Sequence, residues 1–435
     1  MDWKNLEREL IALRRDFHKY PESAWTEFRA SAIIASRLGE LGYKLSLGFD
    51  NIDVQSVMGR PDEAEIDRQI ERSKAQLPKT CADGAGLIDK MRRYPGVVGI
   101  LDSGKKGPVI SLRFDIDCVD VNETDKSEHR PNKEGFASVN ACLDHSCGHD
   151  AHAAIGLGLA TALMERKDEL RGEIRLIFQP GEEGCRGAYA MTQKGVVDGS
   201  DYFLSMHIGT GVPSGSFGLN SHGHLCTTKF DAVFTGRAAH AAGAPQEGKN
   251  ALLAAATAAI SLHAIAPHSD GPMRVNVGTL HAGTGRNVIA DHAVMKAETR
   301  GENQKIADYV YKRACEVISG AAAIYETEVK ITKEGSGTSA DGDVALAEKV
   351  GAVLRASGLF SSVLNDVPAA GSEDATWMMR RVQEQGGQAL YMALGSDITA
   401  PHHNGAFDLD ESAMINGVRA LDAIVGELSK SEGKS

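Results

Sequence analysis

Two spacings of apolar residues alternate along the chain and predict a mixed α/β protein. Apolar residues recur at helical spacing, with charged residues between them, in residues 3–19, 26–41, 344–356 and 373–382. Short apolar runs, several rich in β-branched residues, predict strands at residues 44–47, 96–102, 108–114, 173–179, 202–206 and 389–394. The alternation predicts an α/β fold, with a central mixed sheet flanked by helices.

The middle of the chain follows a different order. Its elements are predicted as strand 227–236, helix 250–265, strand 274–281, strand 292–300, helix 304–321 and strand 328–333. This β-α-β-β-α-β order is the split βαβ, or ferredoxin-like, arrangement. We therefore predict a discontinuous domain, residues 1–221 and 336–435, into which a smaller α+β domain, residues 222–335, is inserted.

Residues 50–95 do not continue either pattern. They are charged, they lack alternation typical of strands, and they contain Pro61, Pro78 and Pro95. The segment is predicted to be an insertion with one helical piece near residues 61–76. Its role stays open at this stage.

Composition and net charge limit the binding partners and the cellular compartment that we expect for this protein. The net charge is 47 − 59 = −12, which disfavours nucleic acid or an anionic membrane as a main partner. Seven scattered cysteines, an odd number, indicate reduced thiols and a cytoplasmic location. The chain begins with a charged amphipathic helix, and the Ala-rich run 251–266 is too short to cross a bilayer.

Candidate chemistry first appears at Cys147-Gly148-His149-Asp150-Ala151-His152, directly before an Ala- and Leu-rich run that predicts a buried helix. Thiolate and imidazole bind divalent metals such as Zn²⁺, and a carboxylate can bind or support them. Taken alone, the segment fits a reduced structural cysteine beside solvated histidines equally well. It is therefore a candidate metal site and no more on its own.

Further ligand-like residues follow predicted strands, at the edge where open α/β sheets place their ligands. They are Asp115 and Asp117, the pair Glu182–Glu183 after a Pro-Gly turn, His207, and the pair His402–His403. Each taken singly also fits a solvated turn or a surface position. Together they suit two ions of Zn²⁺ or Mn²⁺, with one glutamate left to act as general base.

These motifs resemble, in matching order, those of the dinuclear metallo-amidohydrolases, a family that includes hippurate hydrolase, plant auxin-conjugate hydrolases and bacterial aminoacylases. The motifs are C-G-H-D-x-H at 147–152, D-x-D at 115–117, Gln179-Pro180-Gly181-Glu182-Glu183, Met206-His207, Gly371-Ser372-Glu373-Asp374 and His403-Asn404 with Phe407. Two positions depart from the family pattern: Ala290 stands where the family has Pro, and Cys118 where it has Ala. Neither is a proposed ligand.

The resemblance implies roles for individual residues. The implied ligands of two divalent ions, Mn or Zn, are Cys147, His149, Glu183, His207 and His403. Glu182 is the implied catalytic base. In the inserted lid and dimerisation domain, His240 is implied to reach a partner subunit's site and steady the oxyanion. Asn287 and Arg300 are implied to hold a substrate carboxylate, which a guanidinium can grip in bidentate fashion. His152 is expected either to support a ligand or to contact the substrate.

The activity implied is hydrolysis of an amide that joins an aromatic acyl group to glutamate, releasing 4-aminobenzoate and glutamate. Two alternatives stay open. One is an aminoacylase acting on other N-acyl amino acids, which would use the same metal residues. The other is a subunit that is active only with a related partner chain, so both a homodimer and a heteromer are compatible with the sequence.

Overall fold

The strands form two sheets, one in each of two units of the chain. In the computed structural model, the larger unit comprises Met1–Gly223, Ala340–Ala370 and Asp374–Ser435, and the smaller unit comprises His224–Ser339 and Gly371–Glu373. The sequence placed the two borders at 221/222 and 335/336, within a few residues of these positions. Each unit has its own hydrophobic core.

The structure describes residues 1–369 and 371–433, and within them we number the strands in chain order. They are β1 (Lys44–Leu47), β2 (Val97–Asp102), β3 (Val109–Asp115), β4 (Glu173–Gln179), β5 (Tyr202–Ile208), β6 (Ser216–His222), β7 (Cys226–Thr235), β8 (Met273–Ala282), β9 (His292–Gly301), β10 (Glu328–Gly337), β11 (Ser362–Pro368) and β12 (Gln388–Leu394).

The α-helices of the same described residues are numbered likewise. They are α1 (Trp3–Lys19), α2 (Phe28–Leu41), α3 (Glu63–Ala75), α4 (Gly84–Lys90), α5 (Arg130–Glu134), α6 (His149–Glu165), α7 (Ala188–Lys194), α8 (Ala251–Leu262), α9 (Gln304–Ile324), α10 (Val344–Ser357), α11 (Ala375–Glu384) and α12 (Ser412–Leu428). None of them is both long and apolar enough to pass through a bilayer.

The larger sheet has the order β1-β2-β4-β3-β5-β12-β6-β11. Its centre, β4-β3-β5-β12, is parallel, whereas β1 and β2 pair antiparallel at one side and β6 pairs antiparallel with β12. The mixed sheet predicted from the sequence is confirmed. Because the four central strands run the same way, their carboxyl ends meet at one edge, where a ligand site is expected.

Both faces of this sheet are covered, which explains why its central strands are almost wholly buried. One face packs against a core that includes α1, α2, α6 and α12, and the other against a core that includes α7 and α11. Helix α6 lies directly on the sheet. A Cβ added at Gly156 would stand 2.6 Å from the Phe178 ring, so glycine permits this close approach.

The smaller unit confirms the predicted β-α-β-β-α-β order. Its sheet, β10-β7-β9-β8, is antiparallel throughout, and α8 and α9 pack on it through a core that includes Phe230, Phe234 and Ile318. One detail differs from expectation. Strand β10 continues to Gly337 through an irregularity between Lys333 and Gly335, where the sequence indicated a linker. Gly and Ser carry little apolar surface, so a strand that is rich in them shows no apolar alternation in the sequence.

The insertion at residues 50–95 contains a short 3₁₀ turn (Val54–Ser56) and the helices α3 and α4, and a second 3₁₀ turn (Gly48–Asn51) leads into it. The predicted helical piece is present as α3, and α4 was missed. The first part of the insertion is fixed to the larger unit, because the buried Trp25 donates from Nε1 to the carbonyl of Met58 at 2.7 Å. This contact places Met58 and Gly59 near the N-terminal end of α2.

Candidate metal centre

The segment 147–152 lies where β3, β4 and β5 end. Cys147 and His149 are buried, with 8% and 0% of their surface exposed, and α6 begins at His149. Gly148 has φ of +85°, and a Cβ there would approach Ile208 to 2.8 Å. A glycine is therefore needed to turn the chain between the two candidate ligands.

Two imidazoles are oriented by backbone carbonyls. His149 donates from Nδ1 to the carbonyl of Asp117 at 3.0 Å, and His207 donates from Nδ1 to the carbonyl of Ile208 at 2.9 Å. In both rings this leaves Nε2 as the atom with a lone pair, which is the usual arrangement in histidines that bind metal. Nε2 of His149 is buried and has no hydrogen-bond partner among the described residues.

The glutamate pair is held by a carboxylate below it. Asp117 accepts the backbone N–H of Glu182 on Oδ1 at 3.1 Å and that of Glu183 on Oδ2 at 2.9 Å. Glu27 accepts the N–H of Gly181 at 2.7 Å. Side-chain oxygens of Glu182 and Glu183 come within 4.8 Å of a ring nitrogen of His149. Asp117 is fully buried, so it forms a brace for the turn and not the solvated turn that the sequence also allowed.

The side chains of the adjacent residues His402 and His403 have different partners in the structure. His402 donates from Nε2 to the carbonyl of Gly209 at 3.0 Å, whereas Nε2 of His403 lies 3.2 Å from Oε1 of Glu183. The backbone N–H of His403 donates to the carbonyl of Ser146 at 2.9 Å. His403 has φ of +63°, a conformation that is costly for a residue with a side chain and that recurs at functional sites.

The arrangement fits divalent metal. Sγ of Cys147 lies 3.5 Å from Nε2 of His207. A tetrahedral Zn²⁺ bound to sulfur and nitrogen would hold those atoms roughly 3.5 Å apart. Two groups of donors share Cys147, one completed by His149 and His207 and the other by Glu183 and His403. All five ligands implied by the resemblance therefore converge, with Cys147 common to both groups.

The electrostatics of the site are those of a cation site. Burial alone would raise the pKa of the Cys147 thiol, but the charges of His149 and His207 outweigh burial and hold that pKa well below its usual range. Hydrogen bonds to Cys147 and Glu183 raise the pKa of His403 to about 10. Burial and the nearby Cys147 charge raise the pKa of Glu183. Protons on imidazole thus compensate the negative donors, and a bound cation would take their place.

His152 lies behind the candidate ligands. It is buried, its Nδ1 donates to Oδ1 of Asp115 at 2.5 Å, and its Nε2 accepts the backbone N–H of Ile208 at 2.9 Å. Both ring nitrogens are used, and Ile208 directly follows the candidate ligand His207. Of the two roles expected for His152, this geometry favours support of a ligand over contact with substrate.

A second buried ionic group, which the sequence analysis did not identify, lies next to the same segment. We call it the Arg14 cluster: Arg14, His18, Asp150, Asp408 and Glu411. Arg14 contacts Asp150 at 2.8 Å, Asp408 at 3.0 Å and Glu411 at 3.3 Å, and His18 binds Asp150 at 2.8 Å. Asp408 and Glu411 follow the candidate ligand His403, so Arg14 joins the two segments that carry candidate ligands. In the sequence, the cluster could have been found from Arg14, a charged residue on the same face of α1 as the apolar residues Leu6, Leu10 and Phe17.

The other predicted residues lie in the smaller unit. His240 is exposed, and its Nδ1 accepts the N–H groups of Ala242 at 3.2 Å and Gly243 at 2.9 Å. Asn287 is exposed and accepts the N–H of Ala241 on its backbone carbonyl at 3.0 Å. Arg300 is 28% exposed and binds both carboxylate oxygens of Glu298 at 3.0 and 3.1 Å. Their roles toward substrate stay predictions.

Comparisons with known proteins identify the family of the chain. The model of peptidase family M20/M25/M40 matches residues 111–427. The chain is 49% identical to an indole-3-acetyl-aspartic acid hydrolase of Enterobacter agglomerans, over 95% of this chain and 94% of that protein. It is 46% identical to a subunit of the p-aminobenzoyl-glutamate hydrolase of Escherichia coli K12, over 96% of this chain and 95% of that protein.

Solved structures give the same assignment. The crystal structure of an aminobenzoyl-glutamate utilization protein from Klebsiella pneumoniae superimposes with a TM-score of 0.82, at 41% identity, and covers 98% of this chain and 97% of that chain. The resemblance drawn from the motifs is confirmed. With its donor set at the edge of the sheet, the chain is a metal-dependent hydrolase, and it belongs to peptidase family M20/M25/M40.

Proposed function

We propose that this protein hydrolyses the amide bond of p-aminobenzoyl-glutamate to p-aminobenzoate and glutamate. The observation that carries the proposal is the convergence of Cys147, His149, Glu183, His207 and His403 beside a further carboxylate, Glu182. Relatives at 46% and 42% identity, each matched along nearly its whole length, are named for this substrate. Both facts point to amide hydrolysis of an acyl-glutamate.

The five converging residues would hold two divalent ions, Mn²⁺ or Zn²⁺. When bound, such ions supply Lewis acidity toward the carbonyl oxygen and lower the pKa of water. Glu182 takes a proton from the attacking water as the new C–O bond forms. It then delivers that proton to the glutamate nitrogen as the C–N bond breaks, so the reaction consumes one water and yields an acid and an amine.

The remaining predicted residues complete the proposal. His240 would donate a hydrogen bond to the tetrahedral oxyanion, in the manner of an oxyanion hole. Asn287 and Arg300 would bind a carboxylate of the substrate. Arg300 must exchange part of its contact with Glu298 for that purpose, and its planar donors can serve two carboxylates.

The direct test replaces the proposed base. Glu182→Gln keeps the shape of the side chain but removes its basicity, so release of p-aminobenzoate should fall by about 10²–10⁴-fold. Metal content, measured by mass spectrometry of the pure protein, should stay that of the wild type. Glu173→Gln, at the start of β4, is the matched control and should keep full activity. Retained turnover in Glu182→Gln would remove this residue from the mechanism.

A second substrate is favoured by the relative at 49% identity, which is named for indole-3-acetyl-aspartic acid. Both substrates join an aromatic acyl group to an acidic amino acid. Measuring kcat/KM for the two conjugates, together with hippurate and an N-acetyl amino acid, separates these activities from a general aminoacylase. A preference for hippurate over both acidic conjugates would contradict the proposal.

The assembly and location proposed are a homodimer, or a heteromer with a related chain, in the cytoplasm. Two relatives are named as one subunit of a hydrolase, or as its homologue, which supports a partner chain. An oxyanion contact from His240 of a second chain would make assembly a condition of activity. The mass of the pure chain in solution, measured beside its activity, distinguishes the cases: a monomer with full activity would contradict both.

A further inference from the structure

A cavity of about 180 Å³ opens beside the metal centre within the larger unit. Its lining includes the proposed ligand Glu183, the adjacent Gly184 and Arg186, and Val119 and Asp120 from the segment after β3. It has room for several groups the size of water. Because Glu183 forms part of its wall, the cavity adjoins one of the proposed metal ligands.

Arg186 is the cation of this cavity. A Cβ added at Gly184 would stand 2.8 Å from Nε of Arg186, so the guanidinium lies over a position that only glycine leaves open. Nη1 of Arg186 lies 3.5 Å from the carbonyl of Gly59. Among the residues that the structure describes, Arg186 forms no ion pair with a carboxylate, and most of its five N–H donors remain available.

Asp120, an acidic residue in the wall of the same cavity, forms no ion pair with Arg186 in the part of the chain that the structure describes. Asp120 is exposed to solvent, so water can hydrate its carboxylate. A guanidinium that is partly buried and not neutralised is a good receptor for a carboxylate, since it binds in a planar, two-point fashion.

We infer that Arg186 binds the side-chain carboxylate of an acidic amino acid in the substrate. The inference rests on the proposed function, and it names the feature that selects glutamate or aspartate over neutral amino acids. Such a substrate carries two carboxylates. Asn287 and Arg300 are proposed for one of them, and Arg186 takes the other. Arg186 is therefore a specificity-determining residue.

The insertion at residues 50–95 acquires a role from this contact. Trp25, which is fully buried, fixes the carbonyl of Met58, and the next residue, Gly59, turns with φ of +60° and offers its carbonyl to Arg186. The beginning of the insertion thus orients the guanidinium. The insertion contacts, through Gly59, an arginine that lines the cavity.

The test compares three p-aminobenzoyl conjugates: glutamate, glutamine, which lacks the side-chain charge, and isoglutamine, which lacks the α-carboxylate. In Arg186→Gln, kcat/KM should fall about 10- to 100-fold for the glutamate and isoglutamine conjugates, as expected when a charge-assisted hydrogen bond is lost. The glutamine conjugate should be hydrolysed as by the wild type. Arg186→Lys should restore part of the loss. An equal fall for the glutamine and glutamate conjugates would overturn the inference.

Controls separate this inference from the proposed function. Arg166→Gln removes an arginine that is 27% exposed and paired with Asp422 near the C-terminal end of α6, and it should leave all three rates unchanged. Metal content should stay the same in both variants. If the wild type does not release p-aminobenzoate, the same three conjugates are made with an indole-3-acetyl group. A preference for the acidic side chain that disappears in Arg186→Gln would then uphold the inference while the proposed acyl group fails. A wild type without that preference would overturn it.

Discussion

Two buried groups of charged residues meet at the segment 147–152, and they are balanced in different ways. In the Arg14 cluster, a permanent guanidinium lies 2.8–3.3 Å from three carboxylates. At the metal centre, by contrast, Cys147 and Glu183 have no lysine or arginine partner among the described residues, and only imidazoles face them. Burial of charge alone therefore does not identify a functional site. Buried negative groups without a permanent counter-charge do identify one, because a bound cation must then supply the compensating charge.

The largest effect is expected at the residue that both donor groups share. Cys147→Ala should lower activity by about 10⁴-fold, since the Lewis acidity of the metals would be lost, and it should lower metal content. Metal analysis and kcat/KM on the same sample test this. Cys81→Ala is the matched control, because Cys81 is a buried thiol outside the site. Full metal content in Cys147→Ala would place the metals elsewhere.

Removing the permanent cation of the other group should affect stability instead. Arg14→Met leaves three carboxylates without their counter-charge, which should lower the free energy of unfolding by about 3–5 kcal/mol. Denaturant unfolding measures the loss. Arg381→Met, at an exposed pair with Asp198, should cost at most about 1 kcal/mol. If Arg14→Met were as stable as the wild type, the ion pairs of the Arg14 cluster would not stabilise the fold.

The Arg14 cluster should also make stability depend on pH above neutrality. Burial and Arg14 lower the pKa of His18, but hydrogen bonds to Asp150 and Glu123 outweigh them and raise it to about 9. The folded state therefore holds this proton more tightly than the unfolded state does. The resulting stability is fully present below about pH 6.5 and is lost as pH rises through about 9.

Between about pH 7 and pH 10 the loss should amount to about 2–3 kcal/mol. Asp144, which also faces His18, has its pKa raised by burial to about 7, so its own contribution changes mainly below that range. Unfolding of the metal-saturated protein at several pH values measures the slope. His18→Gln should flatten it, and an unchanged slope in that variant would assign the effect to other groups.

The smallest effect is expected at His152, where the two roles can be separated. His152→Phe removes both hydrogen bonds and keeps a ring of similar size, so metal affinity should fall about 10- to 100-fold. At saturating metal, KM for substrate should not change. A higher KM with unchanged metal affinity would show that His152 contacts the substrate.

The sequence predicted many of the elements whose apolar pattern is strong, but helix α12 was not predicted although its apolar residues recur at helical spacing. Strand β4 and the helix–strand order of the smaller unit follow from such patterns. Strands β6 and β11 were missed, because Ser216–His222 and Ser362–Pro368 carry Ser, Asn and Asp where an apolar alternation would have been visible. Helix α4 was missed because it is short and lies inside a charged insertion.

Residue patterns alone predicted the site only as a set of residue types, and the family resemblance assigned roles to individual residues. The pattern could not choose between His402 and His403, because that choice depends on the positive φ of His403 and on its contact with Glu183. It could not assign Asp117 as the brace of the glutamate turn, since the two segments are joined only by folding. Arg14 was taken as part of an amphipathic helix because its three partners are far away in sequence.

The central claim is that ligands from separate segments converge around divalent ions at one edge of the larger sheet. Anomalous diffraction at the absorption edge of the bound metal, from crystals of the metal-loaded protein, tests it directly. We predict density within about 2.3 Å of Sγ of Cys147 and about 2.0–2.2 Å of the donors of His149, Glu183, His207 and His403. Density at His18, Glu123 and Asp144 instead, or metal bound away from Cys147, would contradict it.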